Sequence, residues 1–286
     1  RIKFSAMLIF LSMWLLIVYV PVTHWVWGGG ILSSWGTMDF AGGIVVHATA
    51  GTAALVTALT LGKRRGFPKS ITPPHSPILT MIGASMLWIG WFGFNAGSAL
   101  GANGGAGMAM LVTHISAATA SLVWMFIEWK RFGKPSLIGI VTGMVAGLAT
   151  VTPASGYIGV PGGLILGFFG GLLCYLAVDF IRGKLQIDDS LDVFAVHGVG
   201  GILGTLLVAF LATSTFSGLG LTEGQTAVSQ FFVQLKAVIL TVVWTSFFTY
   251  LILKITSFIV PLRVDEQEEI EGLDLRSHGE KGYHSD

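Results

Sequence analysis

An all-α, polytopic membrane bundle is the fold class this sequence predicts, and three observations carry the prediction. Charged residues make up 11% of the 286 and hydrophobic ones 53%, where a soluble domain carries about 25% charge. Eight apolar segments approach or exceed the roughly 20 residues that a spanning helix needs. Lysine and arginine then gather in alternate connections. The net charge of +1 offers no basic field for nucleic acid.

The first segment, 4–22, follows Arg1 and Lys3. That start imitates a secretory leader, but the apolar run is too long for one and no Ala-x-Ala site follows. A chain that opens on Arg1 rather than on methionine also reads as a piece of a longer protein. The other spans are expected at 40–61, 77–100, 106–127, 137–152, 161–182, 193–214 and 235–258, the fifth being short. Connections 23–39, 101–105, 153–160 and 215–229 hold no lysine or arginine. The intervening ones hold Lys63, Arg64, Arg65 and Lys69, then Lys130, Arg131 and Lys134, then Lys184 beside Arg182. By the positive-inside rule the basic loops, the N-terminus and the C-terminal tail are cytoplasmic. A miscount of one helix would scramble this alternation. Glycine, at 39 residues, is about twice its usual share, which in a membrane predicts helices packed closely through small residues. Cys174 lies in an apolar stretch and reads as a small core residue.

Two of these helices carry an ionisable residue at depth, which in a membrane is a functional candidate by default. His47 lies in 40–61 and His197 in 193–214. The alternation makes the two helices run in opposite directions. Each opens on an aspartate, Asp39 or Asp192, and each carries small residues beside its histidine: Gly51 and Thr52 on one, Gly198, Gly200, Gly201 and Gly204 on the other. Opposed elements of similar composition are the mark of an inverted repeat, whose interface is where transporters place their sites.

At this point three stretches become specific. DFAGGIVVHATAGTAALVTALTLGKR at 39–64, WIGWFGFNAGSAL at 88–100 and DVFAVHGVGGILGT at 192–205 resemble signature blocks of the ammonium transporter (Amt/Mep/Rh) family, nearest its prokaryotic Amt branch. LRV at 262–264, GLD at 272–274 and HGE at 278–280 resemble its cytoplasmic end. The resemblance implies an eleven-helix inverted-repeat fold of which this chain holds the last eight. It implies a transmembrane domain over 1–260, without the first three helices and the gating phenylalanine they carry, and a cytoplasmic regulatory tail over 261–286. The implied function is transport of ammonium or ammonia, with methylammonium as a second substrate and no cofactor. The implied assembly is a homotrimer in the lipid of the cell membrane, answering to a PII-type signalling protein.

On the same resemblance, His47 and His197 are the hydrogen-bonded histidines that line the pore, Phe94 gates it, and Trp27 with Ser98 recruits the cation at the outer mouth. Composition alone reads Trp27 as an interfacial belt anchor, Phe94 as a lipid-facing ring and Ser98 as a packing residue. Ser98 lies one helical turn after Phe94, on the same face. Asp39 and Asp192 are expected to support the site as N-terminal caps rather than as ligands. His114 also falls within a span, yet the family pore uses no histidine there; helix packing is its expected role. The alternative function is an ammonium sensor acting through the tail. An intramembrane hydrolase would want a Gly-x-Ser-x-Gly elbow around Ser98, where the chain has Ala96-Gly97-Ser98-Ala99. A zinc centre would want three or four ligands.

Overall fold

The computed structural model describes residues 1–70 and 73–282. Among the described residues, eight long helices lie side by side, with a short one at Ile31–Ser34. The first, α1 (4–27), joins Phe4–Trp14, a widened π-helical turn at Leu15–Tyr19 and Val20–Trp27. The others are α2, Gly43–Leu61; α3, Pro77–Gly97; α4, Gly104–Phe132; α5, Leu137–Val151; α6, Val160–Lys184; α7, Phe194–Leu211; and α8, Ala227–Ile259. Among the described residues there is no strand, only a single antiparallel bridge between Ile2 and Arg263. All but α5 are long and apolar enough to cross a bilayer.

The helix ends at Trp27 and Phe132 lie five residues beyond those expected, and two other boundaries differ for visible local reasons. Helix α3 stops at Gly97 because the chain turns at once, reaching φ +53 at Leu100. Helix α8 begins well before 235, since Thr226 and Ser229 satisfy each other's backbone amides in a capping box. Within the tail lie a short helix, Glu266–Glu271, and a turn at Asp274–His278. Residues 283–286 of the expected tail lie outside the described residues.

Glycine spacing decides how the second half packs. Gly143 and Gly147 of α5 face α4, where an added methyl would lie 2.6 Å from Trp124 Cβ and 2.4 Å from the Ser116 carbonyl. Gly167 of α6 meets the same carbonyl from the other side at 2.6 Å. Helix α4 is therefore gripped between two smooth faces at backbone contact, the close approach that small residues allow in a membrane. At 15 residues, α5 rises only about 22 Å. Its shortness is tolerable because it is enclosed, with Met144, Leu148 and Ala149 packed against Trp91 and Ala117 in one core cluster.

The connections meet at two ends. At one, Arg1 and Arg64 both pair with the buried Asp188, and Arg263 bonds the Leu61 carbonyl and Glu269. Glu269 also accepts the Arg65 amide, so the tail is tied to the loop after α2. At the other end Phe40 donates to the Pro153 carbonyl and Leu219 to the Tyr157 carbonyl. Helix α2 starts from this second end and α7 from the first, so the two run in opposite directions.

Candidate functional site

Both histidine helices open in π-helical turns, Gly43–Ala48 and Phe194–Gly198, and each histidine falls inside its turn. Such widened turns are rare and concentrate at functional sites. The helices cross where neither has a side chain. A methyl on Gly51 would lie 2.3 Å from Gly198 Cα, and one on Gly201 would lie 2.5 Å from His47 Cβ.

At this crossing His197 Nδ1 and His47 Nδ1 are 3.1 Å apart, with ring centroids 5.2 Å apart. A bond between two Nδ1 atoms needs one to donate and the other to accept. With both rings neutral they are opposite tautomers, one ending in an Nε2 lone pair and the other in an Nε2–H. His47 is 3% exposed, and its Nε2 is buried without a hydrogen-bond partner. The pair borders an apolar cavity of about 690 Å³ that Val46, Trp91 and Phe94 help to line.

Aromatic rings fix this corner. Trp91 stacks on His47 with centroids 5.4 Å apart and planes 15° from parallel. Its Nε1–H donates to Thr152 Oγ1 at 2.9 Å, and that hydroxyl donates onward to the Leu148 carbonyl. Phe94 stands edge-on to His47 at 6.2 Å and to Trp91 at 5.6 Å. Sequence reasoning gave Trp91 no role. Its signal was its spacing of three from Phe94, which puts both rings on one face of α3.

The remaining candidates fall into smaller groups. Ser98 donates its hydroxyl to the Phe94 carbonyl at 2.9 Å, leaving its lone pairs to accept. Trp27 closes α1, about half exposed, with its indole N–H on the Asp39 carbonyl at 2.8 Å. What it presents is a ring face. The Asp39 carboxylate is buried and fully engaged: Oδ1 accepts the amides of Gly42 and Gly43, Oδ2 those of Ile44 and Val45, at 2.6–3.1 Å. It holds the first turn of α2 and has no oxygen free to grip a cation.

Asp192 differs from expectation. The carboxylate on the first turn of α7 is that of Asp189, which accepts the Phe194 amide at 2.7 Å. Asp192 sits at φ +54 and pairs with Arg182 Nε at 2.9 Å. Its backbone carbonyl accepts the Val196 amide and its carboxylate faces Arg182, while the Asp189 carboxylate takes the capping place. The signal was spacing: Asp39 precedes His47 by eight residues, and Asp189 precedes His197 by eight. Burial raises the Asp192 carboxyl to about 6, with Arg182 opposing the shift. His114 is exposed beside Trp88 and Phe92, at 5.1 and 6.1 Å, and does not line the cavity. Cys174 is buried, its Sγ 3.7 Å from the Val196 carbonyl. Among the described residues no three His, Cys, Asp or Glu side chains are grouped to hold a metal ion.

Opposed membrane-length helices that meet through glycine and set two imidazoles against an apolar cavity define a multi-pass membrane protein with an intramembrane polar site. Residues 1–283 match the Ammonium Transporter Family, and the chain belongs to it. It is 48% identical over 286 residues to the ammonium transporter Amt1 of Archaeoglobus fulgidus, an alignment covering 99% of this chain and 72% of that one. Among solved structures it is similar to Mep2 of Saccharomyces cerevisiae, with a TM-score of 0.84 at 34% identity over 93% of this chain and 62% of the other. It is equally similar to a "Sensor Amt Protein", with a TM-score of 0.84 at 31% identity over 92% of this chain and 67% of that one. The chain thus spans 62–72% of the length of these relatives.

Proposed function

We propose that the complete protein passes ammonia across the cell membrane, taking ammonium from one side and releasing its proton to the water of that side before the narrow part of the path. The observation that carries this reading is the Nδ1–Nδ1 bond between His47 and His197 at a glycine crossing, beside an apolar cavity. Moving a bare ion into such surroundings costs of order 20 kcal/mol by an idealised Born estimate, and neutral ammonia escapes that cost. The imidazole pair supplies a donor and an acceptor without a fixed charge. Potassium, which has no proton to lose, finds no ring of carbonyls to replace its water.

In this reading Trp27 and Ser98 receive the cation, the first through its ring face and the second through its hydroxyl oxygen. Phe94 closes the path above the histidines. Asp39 and Asp189 hold the two π-turns, and Trp91 keeps the His47 ring in place. The basic end faces the cytoplasm. Residues 1–260 form the membrane domain and 261–286 a regulatory tail within a homotrimer, on which a PII-type protein acts. The likeness to a sensor protein supports a second reading, in which occupancy of the same site is reported through the tail tied down at Glu269.

The test is uptake of labelled methylammonium by the complete protein in liposomes. His47→Leu and His197→Leu should each lower the rate at least tenfold while the protein still elutes as folded material. Unaltered rates in both variants overturn the reading.

A further inference from the structure

The segment between Trp27 and Asp39 has one helical turn of its own, Ile31–Ser34, whose Leu32 is buried, and is otherwise irregular. It contains Gly28, Gly29, Gly30 and Gly36, and Gly29 and Gly36 adopt φ of +78 and +76. Such a backbone has more freedom to lose than any other. Yet Trp27 and Asp39 must keep a fixed distance from the histidine pair if the outer site is to deliver to it.

Helix α8 supplies the restraint. Gln234 is fully buried, and its amide meets both backbone groups of Met38: it accepts the Met38 N–H at 2.9 Å and donates to the Met38 carbonyl at 2.7 Å. The same Nε2 donates to the Thr205 carbonyl of α7 at 2.9 Å. Gln230, one turn earlier and also buried, donates to the Gly36 carbonyl at 2.9 Å and to Gln234 Oε1 at 3.3 Å. Lys236 lies 3.8 Å over the Trp35 ring. Three side chains of one helix thus grip residues 35, 36 and 38, next to the aspartate whose carbonyl holds the Trp27 indole.

Two buried glutamines in a membrane-length helix are costly unless every polar group is satisfied. Here their amides are spent on a loop and on α7, the helix of His197, rather than on holding α8 to a neighbouring helix alone. Thr205 in turn abuts the start of α2, where a methyl on Gly43 would lie 2.6 Å from its hydroxyl.

We infer that Gln234 is a positioning residue for the outer cation site: it locks the peptide bearing Trp27 and Asp39 to α7, with Gln230 orienting it. The inference rests on the reading of Trp27 as part of that site. A residue acting this way governs how well the cation is caught and leaves passage through the histidines alone.

The experiment measures methylammonium KM and maximal rate in liposomes for the complete protein and for Gln234→Met, Gln230→Met, Trp27→Leu and Trp27→Leu/Gln234→Met. Methionine keeps the length of glutamine and removes its hydrogen bonds. Gln234→Met should raise KM about tenfold, and Gln230→Met about threefold, with maximal rates within about twofold of the parent. The double variant should bind no worse than Trp27→Leu alone, since both act on one site. An unchanged KM in folded Gln234→Met, beside a raised KM in Trp27→Leu, overturns the inference and leaves the outer site standing. An unchanged KM in Trp27→Leu removes the outer-site reading and the inference with it. If Gln234→Met does not fold, Gln230→Met decides: a KM equal to the parent's overturns the inference.

Discussion

The substitution Gly51→Ala puts the crossing of α2 and α7 under direct strain. A methyl at this position lies 2.3 Å from Gly198 Cα and 2.4 Å from Gly198 N, whereas carbon atoms settle at about 3.5 Å or more. The obstacle is backbone, so no rotamer change relieves it. Relief requires the helices to part by about 1.2 Å at that point, the difference between contact and the built distance. Gly198 follows His197 directly, and Gly51 lies one turn beyond His47 on the same face. The Nδ1–Nδ1 separation of 3.1 Å would then open to about 4.3 Å, beyond hydrogen bonding. Overpacking of this kind costs about 1–3 kcal/mol, which the bundle should survive. Methylammonium uptake by the complete protein in liposomes should fall roughly tenfold or more, the factor that about 1.4 kcal/mol represents. Gly183→Ala, where nothing lies within 4 Å of the added carbon, serves as the control. Equal uptake by the two variants would refute the reasoning, since the histidine bond would then be irrelevant to passage or the crossing far softer than its packing implies.

Two further outcomes follow from the basic end. Asp189→Asn should reduce uptake severalfold by loosening the first turn of α7, while Asp192→Asn leaves the rate near that of the parent; the reverse order would return the capping role to Asp192. Asp192 also gives a pH signature. Its folded value is raised from 3.8 to about 6, so the fold favours the protonated form. That contribution is fully present below 3.8 and is lost as pH rises through 6. Asp192→Asn should therefore be more thermostable than the parent at pH 8, by about 1–3 kcal/mol at most, with the gap closing between pH 6 and 4. A gap that widens on acidification sinks this account.

The sequence made the membrane class and the number of helices legible because burial in lipid leaves a coarse signal. Apolar runs and basic loops survive errors of several residues. His47 and His197 were legible for the same reason: an imidazole at membrane depth stands out against leucine and glycine. That the two share a site was suggested by the opposed helices and their small residues, whereas the hydrogen bond between them was implied by family resemblance, since no spacing rule brings residues 150 positions apart together. Asp189 was missed because aspartates lie at 188, 189 and 192, and the fold decides which carboxylate reaches the amides. Trp91 was overlooked because three aromatic rings crowd α3 near Phe94, and only the packed structure shows which one lies flat on His47. The grip of α8 on residues 35–38 crosses some 200 positions and leaves no pattern in the chain.

The two π-turns, each capped by an aspartate eight residues before its histidine and entered from opposite ends, have a consequence for the direction of flow. A half-turn that exchanges α2 with α7 would exchange the imidazoles and their capping aspartates, but Trp91 and Phe94 pack against His47 and make the two faces of the pair different. A difference of this kind sets how readily the path is traversed, not which way net movement runs. The two mouths differ as well: a tryptophan face on a glycine-rich loop at one end, a cluster of paired arginines and aspartates at the other. On the proposed function, matched solutions on both sides give equal passage in both senses. Net uptake is then a property of the gradient and of whatever consumes the product inside.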